Sequence, residues 1–87
     1  MSRWVQNKSI ACRVIDGTAI LIRPDSAHVK ALNRTGTRIW ELLAEPRSLE
    51  ELADDLCGRF EIDRETALAD AKAFLEELRA KGLVDAA

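Results

Sequence analysis

The chain has 87 residues, 47% of them hydrophobic and 5% aromatic, and its 13 basic and 15 acidic side chains leave a net charge of −2. That length supports one modest aliphatic core, and the apolar content excludes a disordered chain. The charges are interspersed and form no basic stripe to attract phosphates. No apolar run is long enough to span a bilayer and no signal peptide opens the chain, so the cytoplasm is the expected compartment.

Residues 1–8 carry no clear pattern, and Trp4 within them is either mobile or packed on the sheet. "SIACRVID" then alternates, with Ile10, Cys12 and Val14 on one side and Ala11, Arg13 and Ile15 on the other. Asp16-Gly17 follows, a dipeptide that tolerates the positive φ angles of a tight hairpin. "TAILIR" is the return strand, Pro24, Asp25 and Ser26 form a second turn, and "AHVKAL" is a short third strand.

The chain then becomes helical. Asn33 is a suitable N-cap for the first helix, its side chain accepting from the free amide near Gly36, and Gly36 lets that first turn approach the sheet closely. Ile39, Trp40 and Leu43 form an inward stripe, and Pro46 disfavours helix at Glu45. Ser48 and Glu51 make a capping box for the second helix, whose apolar face is Leu49, Leu52, Ala53, Leu56, Cys57 and Phe60, with Gly58 weakening its end. Asp63 caps the third helix, which has Ala67, Ala71, Phe74, Leu75 and Leu78 as its apolar face. Gly82 ends it, and Leu83 and Val84 fold back over the core. The expected fold is α+β: a three-stranded antiparallel β-meander followed by a three-helix bundle, winged-helix-like in its order, with residues 1–87 as one domain.

Little in the chain suggests chemistry. Cys12 and Cys57 lack C-x-x-C spacing, and the single histidine, His28, cannot complete a zinc set with them. Both thiols are expected to be small, buried or half-buried side chains. No nucleophile, base and orienting group are spaced to cooperate, so no catalytic residue, metal or cofactor is expected. Three helices beside a sheet also suit a winged-helix nucleic-acid binder or regulator. The third helix would then enter the major groove, but its Arg64, Lys72, Arg79 and Lys81 are offset by Glu65, Asp70, Glu76 and Glu77. A third reading is a structural subunit docking on a larger enzyme.

Three blocks together resemble the PqqD-like family, also called RiPP recognition elements: "LNRTGTRIWELL" at Leu32–Leu43, "SLEELADDLCGRFEID", and "ALADAKAFLEELRAKGLV" at Ala67–Val84. The resemblance covers about Ile15 to Val84. It implies a small, non-enzymatic peptide-binding module. Such a module holds the leader segment of a ribosomally made precursor and presents the core segment to a modifying enzyme, often a radical SAM enzyme or a leader peptidase. The resemblance also implies that the leader is an added strand between the third strand and the third helix. The stretch "IRPDS" lacks the "LLYPEG"-like run of the quinone-cofactor pathway member, so a lasso-peptide or other peptide-modifying system fits at least as well.

The last strand of a meander has an unpaired edge, which an extended peptide can use by β-augmentation. The expected peptide-binding residues are therefore Ala27, His28, Val29, Lys30, Ala31 and Leu32 on the strand, with Ala67, Asp70, Ala71, Phe74 and Leu78 on the helix. Lys30 occupies a position where relatives often carry a large apolar residue, and Val29 and Ala31 alternate out of phase with Leu32. Either a bulge resets the register there, or Lys30 lies along the cleft with its stem buried and its amine in water. Partners are expected to be the precursor leader and its modifying enzyme, without nucleic acid or membrane, the chain being a monomer or an edge-paired dimer.

Overall fold

The computed structural model describes residues 2–24 and 29–87. After a first strand, β1 (Arg3–Gln6), the expected meander is built from β2 (Ala11–Ile15), β3 (Thr18–Ile22) and β4 (Val29–Ala31), in the order β2-β3-β4 and antiparallel throughout. Asp16 and Gly17 turn the hairpin with φ of 54° and 80°, the pair of positive angles that matches the twist of the flanking strands. Alternation along β3 sends Ala19 and Leu21 into the core. Asp25, Ser26, Ala27 and His28, expected in the second turn and at the start of the third strand, lie outside the described residues.

The helix caps act as their residue types require. Asn33 Oδ1 accepts from the Gly36 amide at 2.7 Å to start α1 (Arg34–Leu42). A short strand, β5 (Arg47–Ser48), leads into α2 (Leu49–Arg59). There Ser48 Oγ accepts from the Glu51 amide at 3.2 Å, and Glu51 Oε1 accepts from the Ser48 amide at 2.8 Å, closing the capping box. Asp63 Oδ1 accepts from the Thr66 amide at 2.7 Å to start α3 (Arg64–Ala80). At its far end Gly82, with φ of 71°, forms a Schellman motif. Its amide donates to Arg79 O at 3.0 Å, and the Leu83 amide donates to Leu78 O at 2.9 Å, placing Leu83 and Leu78 together in the core.

That reversal builds a second sheet, for which the sequence shows no pattern. β6 (Val84–Ala86) and β5 flank β1 on its two sides, with Trp4 opposite both Arg47 and Ala86. Residues 3–6 are therefore ordered strand. Gln6 Nε2 donates to Trp40 O at 2.6 Å, and the Gln6 amide donates to Leu43 O at 2.8 Å, which ties β1 to the end of α1. Trp4 packs against the core, with the Arg79 guanidinium 5.2 Å from its ring centroid. Cys12 departs from expectation in being exposed, as is every residue of β2; Cys57 is half-buried as expected.

The meander joins the helices at Ala19. Its carbonyl accepts from the Leu32 amide at 2.8 Å, where the chain leaves β4. Its own amide, buried, donates to Thr37 Oγ1 at 2.8 Å from the second turn of α1. Replacing that hydroxyl by a methyl of equal size leaves a buried N–H without a partner. Thr37→Val should cost between about 1 and 3 kcal/mol in urea unfolding. Thr37→Ser, which retains the acceptor, should lose less; a Val variant as stable as the Ser variant would show that the bond contributes nothing.

Candidate peptide-binding cleft

β4 is an edge strand among the described residues, and α3 lies beside it, with Lys30 reaching Glu77 and open space on either side of that contact. The register of β4 on β3 has no bulge: Ile20 faces Ala31, Leu21 faces Lys30 and Ile22 faces Val29. Val29 and Ala31 are thus exposed on the outer face, while Lys30 and Leu32 point inward. Leu32 is buried, and Lys30 lies along the cleft and crosses it. Its Nζ donates to Glu77 Oε1 of α3, and the two side chains are 22% and 43% exposed. The stem is covered and the charge is paired rather than left in open water.

Glu77 also accepts from Lys81 Nζ at 3.4 Å. The Lys30 hydrogen bond holds the Glu77 carboxyl below its ordinary value of 4.5, and the charges of Lys30 and Lys81 add to the effect. The Lys30–Glu77 bridge divides the cleft in two. One compartment, of about 190 Å³, is lined by Leu21, Arg23, Val29, Lys30, Lys81 and Leu83. The other, of about 350 Å³, is more open and is lined by residues that include Asn33, Gly36, Asp70, Ala73, Phe74 and Glu77.

Of the expected helix residues, only Asp70 and Phe74 reach this cleft. Ala67, Ala71 and Leu78 have no exposed surface, so they support the site from beneath and do not line it. The reason is helical geometry. The stripe 67, 71, 75, 78 faces α2 and the sheet, while the cleft receives the neighbouring stripe 70, 73, 74, 77. Ala73 and Glu77 were thus legible as the i+3 and i+7 partners of Asp70. Gly36 is also placed differently from expectation. A Cβ there would lie 3.1 Å from Phe74 Cζ and 3.1 Å from Asn33 Oδ1, so the close approach is to the aromatic ring of α3 and not to the sheet. Ala27 and His28 lie outside the described residues.

Among the described residues, no group of three or more His, Cys, Asp or Glu side chains is placed to hold a metal ion. No described helix is long and apolar enough to cross a membrane. The geometry offers instead a short open strand edge with side-chain pockets facing it, an arrangement to which an extended chain can add as a strand.

A fold of this kind, a three-stranded meander whose last edge faces the third of three helices, defines a class of small peptide-binding domains. Residues 18–84 match the family model described as Coenzyme PQQ synthesis protein D (PqqD), and the chain belongs to that family. It is 30% identical to TbiB1, solved in complex with the TbiA(beta) leader peptide, with a TM-score of 0.84 over 93% of this chain and 94% of that one. Lasso peptide synthetase B1 complexed with the leader peptide is 23% identical, with a TM-score of 0.83 over 94% and 96% of the two chains. The PqqD truncation of Methylobacterium extorquens PqqCD, described as a functional and stand-alone RiPP recognition element, is 15% identical. Its TM-score is 0.78 over 95% and 88% of the two chains. The last two likenesses bear on fold alone. No curated protein matches.

The cross-cleft pair should have a characteristic acid dependence. A carboxyl whose folded pKa is depressed stabilises the fold fully above its unfolded value and loses that contribution as pH falls through the folded value. The stability difference between the protein and its Glu77→Gln variant should therefore be constant above pH 4.5 and shrink below it. Urea titrations across the acid range measure this, and a difference that grows on acidification would contradict the assignment.

Proposed function

We propose that the chain is a non-catalytic recognition module that binds the leader segment of a ribosomally synthesised precursor by strand addition along β4 and presents the peptide to a modifying enzyme. The observation that carries this reading is the unpaired edge of β4 beside pockets on α3. The 30% identity to a protein solved with a leader peptide supports it. Backbone bonds to Val29–Ala31 supply generic affinity, and side chains alternating toward α3 meet Lys30, Asp70, Phe74 and Glu77. The modifying enzyme is of the radical SAM or leader peptidase class that the family resemblance implies. Residues 1–87 act as one recognition domain.

The electrostatics of α3 disfavour the nucleic-acid alternative. Four acids stand among its basic residues, and the cleft itself carries Asp70 and Glu77. The test is amide chemical-shift mapping with the leader of a precursor encoded beside this chain. Val29–Leu32 and the 70–77 stretch of α3 should shift, with an affinity of roughly micromolar or tighter, since the peptide loses chain entropy on binding. Shifts confined to α2, or to β1 and Trp4, would reject strand addition.

A further inference from the structure

The bridge that divides the cleft also divides it by charge. On the Lys81 side, Arg23, Lys30 and Lys81 surround an apolar floor of Leu21 and Leu83. Arg23 is anchored there, its Nη1 donating to Lys81 O at 2.7 Å. On the other side stand the carboxylates of Asp70 and Glu77. Among the described residues, Glu77 serves two ammonium groups, those of Lys30 and Lys81.

A strand laid on β4 would cover this bridge from water. An inward side chain of that strand must occupy the space that the bridge crosses. If it is apolar, it either leaves the ion pair buried beneath it or separates Lys30 from Glu77, and a covered, unpaired ammonium is costly. If it is a carboxylate, each ammonium gains a partner of its own. The next inward side chain of the strand, two residues away, then falls on Leu21 and Leu83.

Building on the leader-binding reading above, we propose that the peptide this chain selects carries an acidic side chain that pairs with Lys30, leaving Glu77 to Lys81, and an apolar side chain two residues from it that seats on Leu21 and Leu83. Lys30 is then a specificity-determining residue, and Glu77 is its resting partner in the empty cleft.

A displayed library of random linear peptides, selected on the immobilised chain, tests this without knowledge of the cognate precursor. Selection should enrich Asp or Glu two positions from an apolar residue. Changing that acid to its amide in a selected peptide should weaken binding about tenfold or more. The penalty should vanish against Lys30→Met. Should Lys30→Met fold poorly, Lys30→Gln, whose side-chain amide can still donate across the cleft to Glu77, removes the charge and should lose the acidic preference in its place. Selected peptides that shift the Val29–Leu32 amides but show no acidic preference would overturn this inference and leave leader binding intact. Selected peptides that leave those amides unmoved would overturn both.

Discussion

The amide of Ala19 is the point on which the architecture turns. It lies in the core, where an unpaired N–H is costly, and β4 does not extend far enough to reach it. The chain has already left the sheet at Leu32, whose amide donates to the Ala19 carbonyl, and has begun α1 at Arg34. Thr37 Oγ1 supplies the acceptor that a longer strand would have supplied. Because a helix side chain completes the sheet, the strand can end and the bundle begin within a few residues. α3 then packs close enough to β4 for Lys30 to reach Glu77. The cleft exists because this junction is short.

The parts of the fold that were legible in the sequence are those governed by local chemistry. Asn33, Ser48 with Glu51, and Asp63 each cap the helix that follows, because a short polar side chain satisfies amides only a few residues away. Asp16-Gly17 and Gly82 take the positive φ angles their positions need. The second sheet was not legible, because β5 and β6 are too short to show alternation and their pairing with β1 joins segments far apart in the chain. The role of Thr37 was hidden for a similar reason: nothing local distinguishes a buried hydroxyl eighteen residues from its donor from one facing solvent.

The cleft was partly legible, and the residues of α3 that line it differ from its apolar stripe for a physical reason. Apolar periodicity identifies the stripe of α3 that faces the core, and Ala67, Ala71 and Leu78 belong to that stripe. A cleft on the same helix is lined by a different stripe, the mixed one containing Asp70, Phe74 and Glu77. Phe74 touches both: it packs on the core and also lines the cleft against Gly36. The two readings of Lys30 could not be separated by pattern alone. They are separated by register, because Lys30 opposite Leu21 is inward without any bulge.

The meander has two open edges among the described residues, and only one of them faces a helix. β2 is exposed along its whole length, with Val14 and Ile15 uncovered, yet no helix stands across from it to supply side-chain pockets. A strand added there would gain backbone bonds and little discrimination, and Arg13 in its centre opposes promiscuous pairing with basic sequences. At β4 the same backbone bonds come with the two compartments and the ion pair of the α3 cleft. Backbone pairing is available at either edge, so what differs between them is the side chains that stand beside each. The residues that distinguish the β4 edge are those of α3 and the lysine that crosses to it.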